Sequence, residues 1–354
     1  MKNIIILGGG YGGLAVAHQL LDKSIPPDTQ LILVDRMPFQ GLKTEYYALA
    51  AGAVADVDIR VQFPADDRLQ LAFGEVSRIS LTEQQVHFED REPLSYDQLI
   101  IALGCTDKYH NIPGAQEHTY SIQSFSSSRA TACRINDLSP YSQVTVVGGG
   151  LSGVEIAAEL RESRADLNVR IMDRGESVLS PFPQKLRSYV TAWFEDHGID
   201  MVSHASVSRV EPNGIYNHDL FLQTDVTVWT AGIQPVEVVR QLEVDKDPAG
   251  RVCLNEYHQI PLFPNVYVVG DCASLPFSPS AQAAEAQGKQ VGEVIQALWK
   301  QETPKLGQIK LKGVLGSLGK KHGFGLMGKE TVMTGRMPRV LKSGVLWMSK
   351  HHFG

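Results

Sequence analysis

The chain has 354 residues, 43% of them hydrophobic and 20% charged, with a net charge of −6. That is enough for two or three domains with a full core, and it is an ordinary composition for a soluble protein. No stretch reaches the roughly 18 apolar residues of a membrane-spanning helix. Cys105, Cys133, Cys253 and Cys272 form no CxxC or CxxxxC pair, which argues against dithiol redox chemistry, a zinc site or a disulfide framework and reads as four plain buried thiols.

The first element is a strand. MKNIIILGGG has an apolar run of only Ile4 to Leu7 and no small-residue cleavage site, so it is not read as a signal peptide, and a cytoplasmic address is expected. GGGYGG follows at Gly8 to Gly13, opens the helix pattern LAVAHQLL, and is answered by Asp35 at the end of the strand LILVD. QLAFGEV, VSRISL, QQVHFED and DQLIIALG read next as a meander of short strands leading back into a parallel sheet. A second unit repeats the first. VTVV leads into GGGLSG at Gly148 to Gly153, the helix VEIAAEL follows, and Asp173 ends the strand VRIMD. VSRVEP and LFLQTDVTVWTAG form a second meander, NVYVVGD returns to the first domain at Asp271, and a helix begins near Pro279 with small residues where something must pack closely.

This predicts an α/β fold of two Rossmann-like domains, the second inserted in the first. Residues 1–107 and 235–302 make the first, 108–234 the second, and 303–354 a basic C-terminal segment. The chemistry needs these residues at this spacing. Gly8 and Gly148 permit a tight turn, Gly10 and Gly150 let the backbone approach a pyrophosphate, and Gly13 and Gly153 allow close helix packing. The helix N-terminus holds phosphates, and Asp35 and Asp173 take ribose hydroxyls. One chain with two such sites is built to pass electrons between two dinucleotides.

From Lys305 onward eight Lys and two Arg face one acid, Glu330, a net of +9 that leaves −15 on the rest. The last stretch mixes Arg336, Arg339, Lys342 and Lys350 with Val340, Leu341, Val345, Leu346, Trp347, Met348 and Phe353. Two readings fit it: a basic amphipathic segment lying on an anionic membrane surface, or a helix packed on its own domain or on a homodimer partner.

The order of motifs, from the first fingerprint through the YDQLIIALG strand end, the second fingerprint with VE, VWTAG and VYVVGDCA, resembles the two-dinucleotide-binding-domain flavoproteins over residues 1 to about 300. Within them the chain is most similar to the type II, non-proton-pumping NADH dehydrogenases, through GVEIAAEL, AQAAEAQG and KGVLGSLG. The resemblance implies that Gly8, Gly10, Gly13, Asp35, Gly104 and Asp271 hold FAD and that Gly148, Gly150, Gly153 and Asp173 hold NADH, with Arg174 beside Asp173 tempering discrimination against NADPH. It implies a hydride passed from NADH to flavin and then two electrons passed to a quinone, on the inner face of the cell membrane if the tail lies on lipid. The first step asks only for positioning; the quinone also needs two protons, for which Glu155 is the candidate relay, with Gln282 orienting the acceptor carbonyl. Read alone, Asp271 also suits a helix cap and Glu155 a first-turn acid. Lys342 is read as reaching the flavin or as a plain surface lysine.

The chain departs from the family at the acceptor end. The family's AQxAxQ pairs two glutamines one helical turn apart; here Gln282 is in place but Ala286 stands at the second position, and Gln287 is rotated about 100° away. FQGLKTEYYALAAG at Phe39 to Gly52 replaces an apolar segment, leaving Glu45 and Tyr46 as candidate pocket residues and Tyr46 and Tyr47 equally readable as core aromatics. Two alternatives therefore stand beside the quinone: a small acidic redox protein such as ferredoxin as the acceptor, or a slow-turnover FAD- and NAD-binding signalling protein.

Overall fold

The computed structural model describes residues 1–328 and 330–352. Two parallel sheets organise it. The first has six strands in the order Gln259–Ile260, Phe263–Val268, Gln98–Ile101, Lys2–Leu7, Thr29–Asp35 and Leu69–Phe73, all parallel except the short edge strand Gln259–Ile260. The second has five, in the order Tyr120–Ser121, Val226–Trp229, Gln143–Val147, Asn168–Met172 and Asp200–Val202, all parallel. The central strands of the first sheet carry continuous apolar runs such as Ile4–Leu7 and Leu99–Ile101, fully buried along their length, as strands covered on both faces must be. The observed architecture is the doubly wound α/β fold expected from the repeated unit.

Two predicted strands behave differently from their reading: Val226–Trp229, read as part of the second meander, lies inside the second parallel sheet, and Leu69–Phe73 leaves the first meander. The latter pairs parallel to Thr29–Asp35 and forms the edge of the first sheet. A five-residue run carries no mark of which neighbour it will pair with, and the helical connection that enforces a parallel crossover is here replaced by the segment 36–68. Only Val76–Ser80, Gln85–Phe88 and Leu94–Ser95 form the antiparallel meander.

The chain leaves the first sheet after Gln98–Ile101 and returns to it at Gln259–Ile260 and Phe263–Val268. On the way out and back it forms a two-stranded antiparallel ribbon, Cys105–Asp107 against Ile233–Pro235. The helix Ala281–Trp299, capped by the Ser280 hydroxyl accepting from the Ala283 N–H, packs on the first fingerprint helix Tyr11–Leu21. Its small residues make that approach possible, since a Cβ at Gly288 would stand 2.9 Å from that of Ala15 and run into the Gly12 carbonyl.

The tail is more structured than a basic segment. Gly313–Leu318, His322–Met327 and Thr331–Gly335 form an antiparallel sheet, and the helix Arg336–His352 follows. Leu318 and Phe324 are fully buried in the same core cluster as Val154, Ile156 and Ala157 of the second fingerprint helix, Leu151–Ser163. Phe353 and Gly354 lie outside the described residues.

Candidate functional site

The two glycine turns are built alike. Gly8 and Gly148 sit at φ +100° and +111°, where a side chain would be strained. A Cβ at Gly13 would strike the Gly8 carbonyl, and one at Gly153 the Gly148 carbonyl, so each helix starts directly against its own turn. At Gly10 and Gly150 the situation is reversed: a Cβ there would meet nothing within 4 Å. The loop faces open space at the position where a pyrophosphate needs close approach. Neither helix has a side-chain cap, whereas Ser124 and Ser280 cap theirs, so the first-turn amides of the two fingerprint helices are left for a ligand.

The two acids stand over these loops. Asp35 accepts from the Gly9 N–H at 2.7 Å and the Met37 N–H at 2.8 Å; Asp173 accepts from the Gly149 N–H at 2.6 Å and the Gly175 N–H at 2.7 Å. Each carboxylate keeps free lone pairs for hydroxyl donors. Burial pushes the Asp35 carboxyl above its ordinary value. In the short strand Gln40–Gly41, which follows Asp35 in the chain, both amide atoms of buried Gln40 lack a partner among the described residues, an arrangement that costs free energy unless a ligand supplies one. These observations fit a dinucleotide in each loop.

A corner of charge closes the first site. Asp271 lies in the turn Gly270–Cys272, 3.6 Å from the Lys43 ammonium and 3.1 Å from the Cys105 thiol. Burial pushes Cys105 up to about 12, more than Lys43 draws it down, so this thiol is inert. Gly104, at φ +73°, precedes it, and its carbonyl accepts from the Cys272 thiol at 2.9 Å. Cys105 and Cys272 are buried as expected, but Cys133 is exposed and Cys253 half-buried, because each follows an amphipathic or edge position that periodicity alone does not orient.

The tail helix enters this region. Lys342 is 8% exposed, with its ammonium on a Glu155 carboxylate oxygen, 2.9 Å from the Tyr47 hydroxyl and 4.0 Å from Glu45. The surface-lysine reading is thereby overturned. A stem of four methylenes is long enough to bury when two carboxylates wait at its end. Glu155 also accepts from the Ser317 N–H at 2.9 Å, and Tyr47 and Ser317 share a hydroxyl contact of 3.1 Å. Three separated segments, 43–50, 151–163 and 313–342, thus meet at one buried cluster. Burial alone would lower Lys342, yet the attraction of Glu155, Tyr47 and Glu45 holds it above its ordinary value and therefore charged. Burial pushes Glu155 and Glu45 up against the pull of Lys342.

Gln282 is placed differently from its reading. Its amide donates to the Gly313 carbonyl and accepts from the Lys312 N–H, both at 2.9 Å, so both ends tie the long helix to the tail sheet. Gln287 is fully buried and structural, accepting from the Gly270 N–H and donating to the Val268 carbonyl. The residues the sequence reading passed over are Ser317, Lys43 and Tyr47 as a polar partner; a Lys and two Glu in separate segments of an otherwise apolar pattern were the one signal for them.

The model of the pyridine nucleotide-disulphide oxidoreductase family matches residues 2–288. This chain belongs to that family. Its member NADH dehydrogenase-like protein YutJ of Bacillus subtilis is 53% identical over the full length of both chains. A type II NADH:quinone oxidoreductase of Staphylococcus epidermidis is 22% identical over 92% of this chain and 90% of its own. The solved structure of NDH2 from Plasmodium falciparum in complex with NADH shares the fold, with a TM-score of 0.85 at 17% identity over 99% of this chain and 96% of that one. The chain is a type II NADH dehydrogenase-like member, an FAD-dependent oxidoreductase with FAD and NADH as its cofactors. No helix among the described residues is long and apolar enough to cross a membrane.

Proposed function

We propose that this NADH dehydrogenase delivers its electrons to a quinone, with the Lys342, Glu155 and Tyr47 cluster serving the acceptor step. The observation that carries the reading is the burial of Lys342 on Glu155: a charged ammonium is taken out of water into a site made from three segments, where a plain apolar contact would have joined the tail at less cost.

Gly8, Gly10, Gly13, Asp35, Gly104 and Asp271 hold FAD, and Gly148, Gly150, Gly153 and Asp173 hold NADH. FAD held there would supply the two-electron chemistry that links NADH to the acceptor. The chain's own part is to position and to manage charge. Lys342 supplies a fixed positive charge without reorganisation as negative charge builds up. Glu155, whose carboxyl burial pushes up against the pull of Lys342, is the proton relay of this reading; the Ser317 N–H holds it, and Lys342 links it to the Tyr47 hydroxyl. Gln282 plays no part in this reading; its bonds support the tail.

The exposed stripe of the tail helix, Met337, Val340, Leu341, Val345 and Met348, lies opposite the inward face of Arg339, Lys342 and Leu346. We place that stripe on an anionic membrane surface, where a lipid-soluble quinone is found, with Arg336 and Lys350 toward the head groups. Steady-state NADH oxidation tried separately with menadione, a short-chain ubiquinone and ferredoxin tests the acceptor. Turnover with the quinones and little with ferredoxin is expected; the reverse order overturns the reading.

A further inference from the structure

The quinone reading, on which this inference rests, sets a proton balance. NADH, a quinone and one proton from solvent give NAD+ and a quinol, so NADH supplies both electrons and one proton, and each turnover draws a second proton into a site whose Glu155 is 4% exposed. The second fingerprint helix carries two further carboxylates on the same face. Glu159 and Glu162 follow Glu155 at four and seven residues, one and two turns on, where neighbouring Cβ atoms stand about 5 to 6 Å apart, a spacing that one water between carboxyls would bridge.

Burial falls along the row. Glu159 is 2% exposed; Glu162 is half-buried at the rim, where it accepts from the Lys320 N–H at 2.7 Å. We propose that Glu159, with Glu162 beyond it, carries protons from solvent to Glu155, making this helix the proton inlet of the acceptor site. The groups facing Glu159 are Glu155 and Glu162 on its own helix and Arg339 and Lys342 on the tail helix, with Glu45 and Tyr47 farther in around Lys342. Burial raises the Glu159 carboxyl, and Glu162 and Glu155 add to this while Arg339 and Lys342 oppose it, leaving it at about 7. A carboxyl so poised both accepts and releases a proton at neutral pH. A structural acid would need no such row and no second carboxylate at the rim.

Glu159→Gln keeps the shape and removes the proton site. In the FAD-loaded enzyme it is expected to slow menadione reduction by up to about 100-fold at pH 8, with an increased solvent isotope effect, and to slow ferricyanide reduction, which consumes no proton, far less. Glu159→Asp is expected to restore much of the menadione rate. A second readout needs no turnover. Because the folded-state value lies above the ordinary 4.5, the wild type loses stability as pH rises from about 4.5 through about 7, and the glutamine variant does not. The melting temperature of Glu159→Gln relative to wild type should therefore rise from pH 5 to pH 8. Menadione reduction at the wild-type rate at every pH overturns the inference alone, as does equal slowing with ferricyanide. A wild type that reduces ferricyanide but no quinone overturns the acceptor reading and this inference with it.

Discussion

Replacing Lys342 by methionine keeps most of the stem's packing and removes the charge that balances Glu155. Both groups are buried, at 8% and 4% exposure, and the ammonium also bonds Tyr47. Breaking a buried pair by removing one partner costs about 3 to 5 kcal/mol, because the other charge is left uncompensated. With an unfolding entropy of about 2.1 cal/mol/K per residue, the 354 residues give about 0.7 kcal/mol/K, and so a fall of about 4 to 7 °C if the chain melts as one unit. The loss depends on pH. Glu155 alone in that site has a folded-state value raised further above 4.5, so the penalty is absent at low pH, where the carboxyl is neutral in both states, and grows as pH rises. Melting followed by fluorescence between pH 5 and pH 8.5 measures this, with Glu155→Gln/Lys342→Met as the control that removes both charges and recovers most of the loss. A Lys342→Met protein that melts with the wild type at pH 8, or a double variant no more stable than the single one, refutes the buried pair.

The repeated fingerprint made the two sheets legible because each turn imposes its own chemistry: a glycine at positive φ, a glycine against a carbonyl, an acid at the next strand's end. These constraints are local in sequence, and Gly8, Gly13, Asp35 and their counterparts Gly148, Gly153 and Asp173 stand where the spacing put them. The pairing of Leu69–Phe73 was not legible, since a strand's neighbour is a property of the sheet. The cluster around Lys342 was legible only as a list of polar residues. Its partner Glu155 lies 187 positions away, and no periodicity in a basic helix tells an inward lysine from an outward one until the acids beneath it are placed. Gln282 shows the converse. A motif assigned it to the acceptor, and the tail sheet, which no motif announced, takes both ends of its amide.

The nucleotide site gives the next prediction: Asp173→Ala is expected to reduce the preference for NADH over NADPH by about 1 to 3 kcal/mol, or about 5- to 150-fold in kcat/KM, and an unchanged ratio would remove Asp173 from ribose recognition. Gln282→Ala should cost about 1 kcal/mol of stability through its two bonds to 312 and 313 and leave the ratio of flavin reduction to quinone reduction unchanged in stopped-flow; slowing confined to the quinone step would return Gln282 to the acceptor site. The membrane contact calls for a variant that spares the cluster. Truncation after Gly335 removes Lys342 together with the apolar stripe, so loss of vesicle binding in that protein would confuse unfolding with surface chemistry. Val340→Glu with Met348→Glu avoids this, because those side chains are 69% and 50% exposed on the outward face. Each basic residue near an anionic surface contributes about 1 kcal/mol and is screened by salt, while the apolar stripe adds a salt-resistant part. Wild-type protein is therefore expected to sediment with phosphatidylglycerol vesicles but not with phosphatidylcholine ones, and to bind more weakly but persistently at high salt. The double variant should lose most binding while keeping its flavin and its melting temperature. Equal binding by variant and wild type would mean that the stripe does not touch lipid, and wild-type protein indifferent to anionic vesicles at low salt would favour a soluble acceptor or a partner copy of the chain on that face.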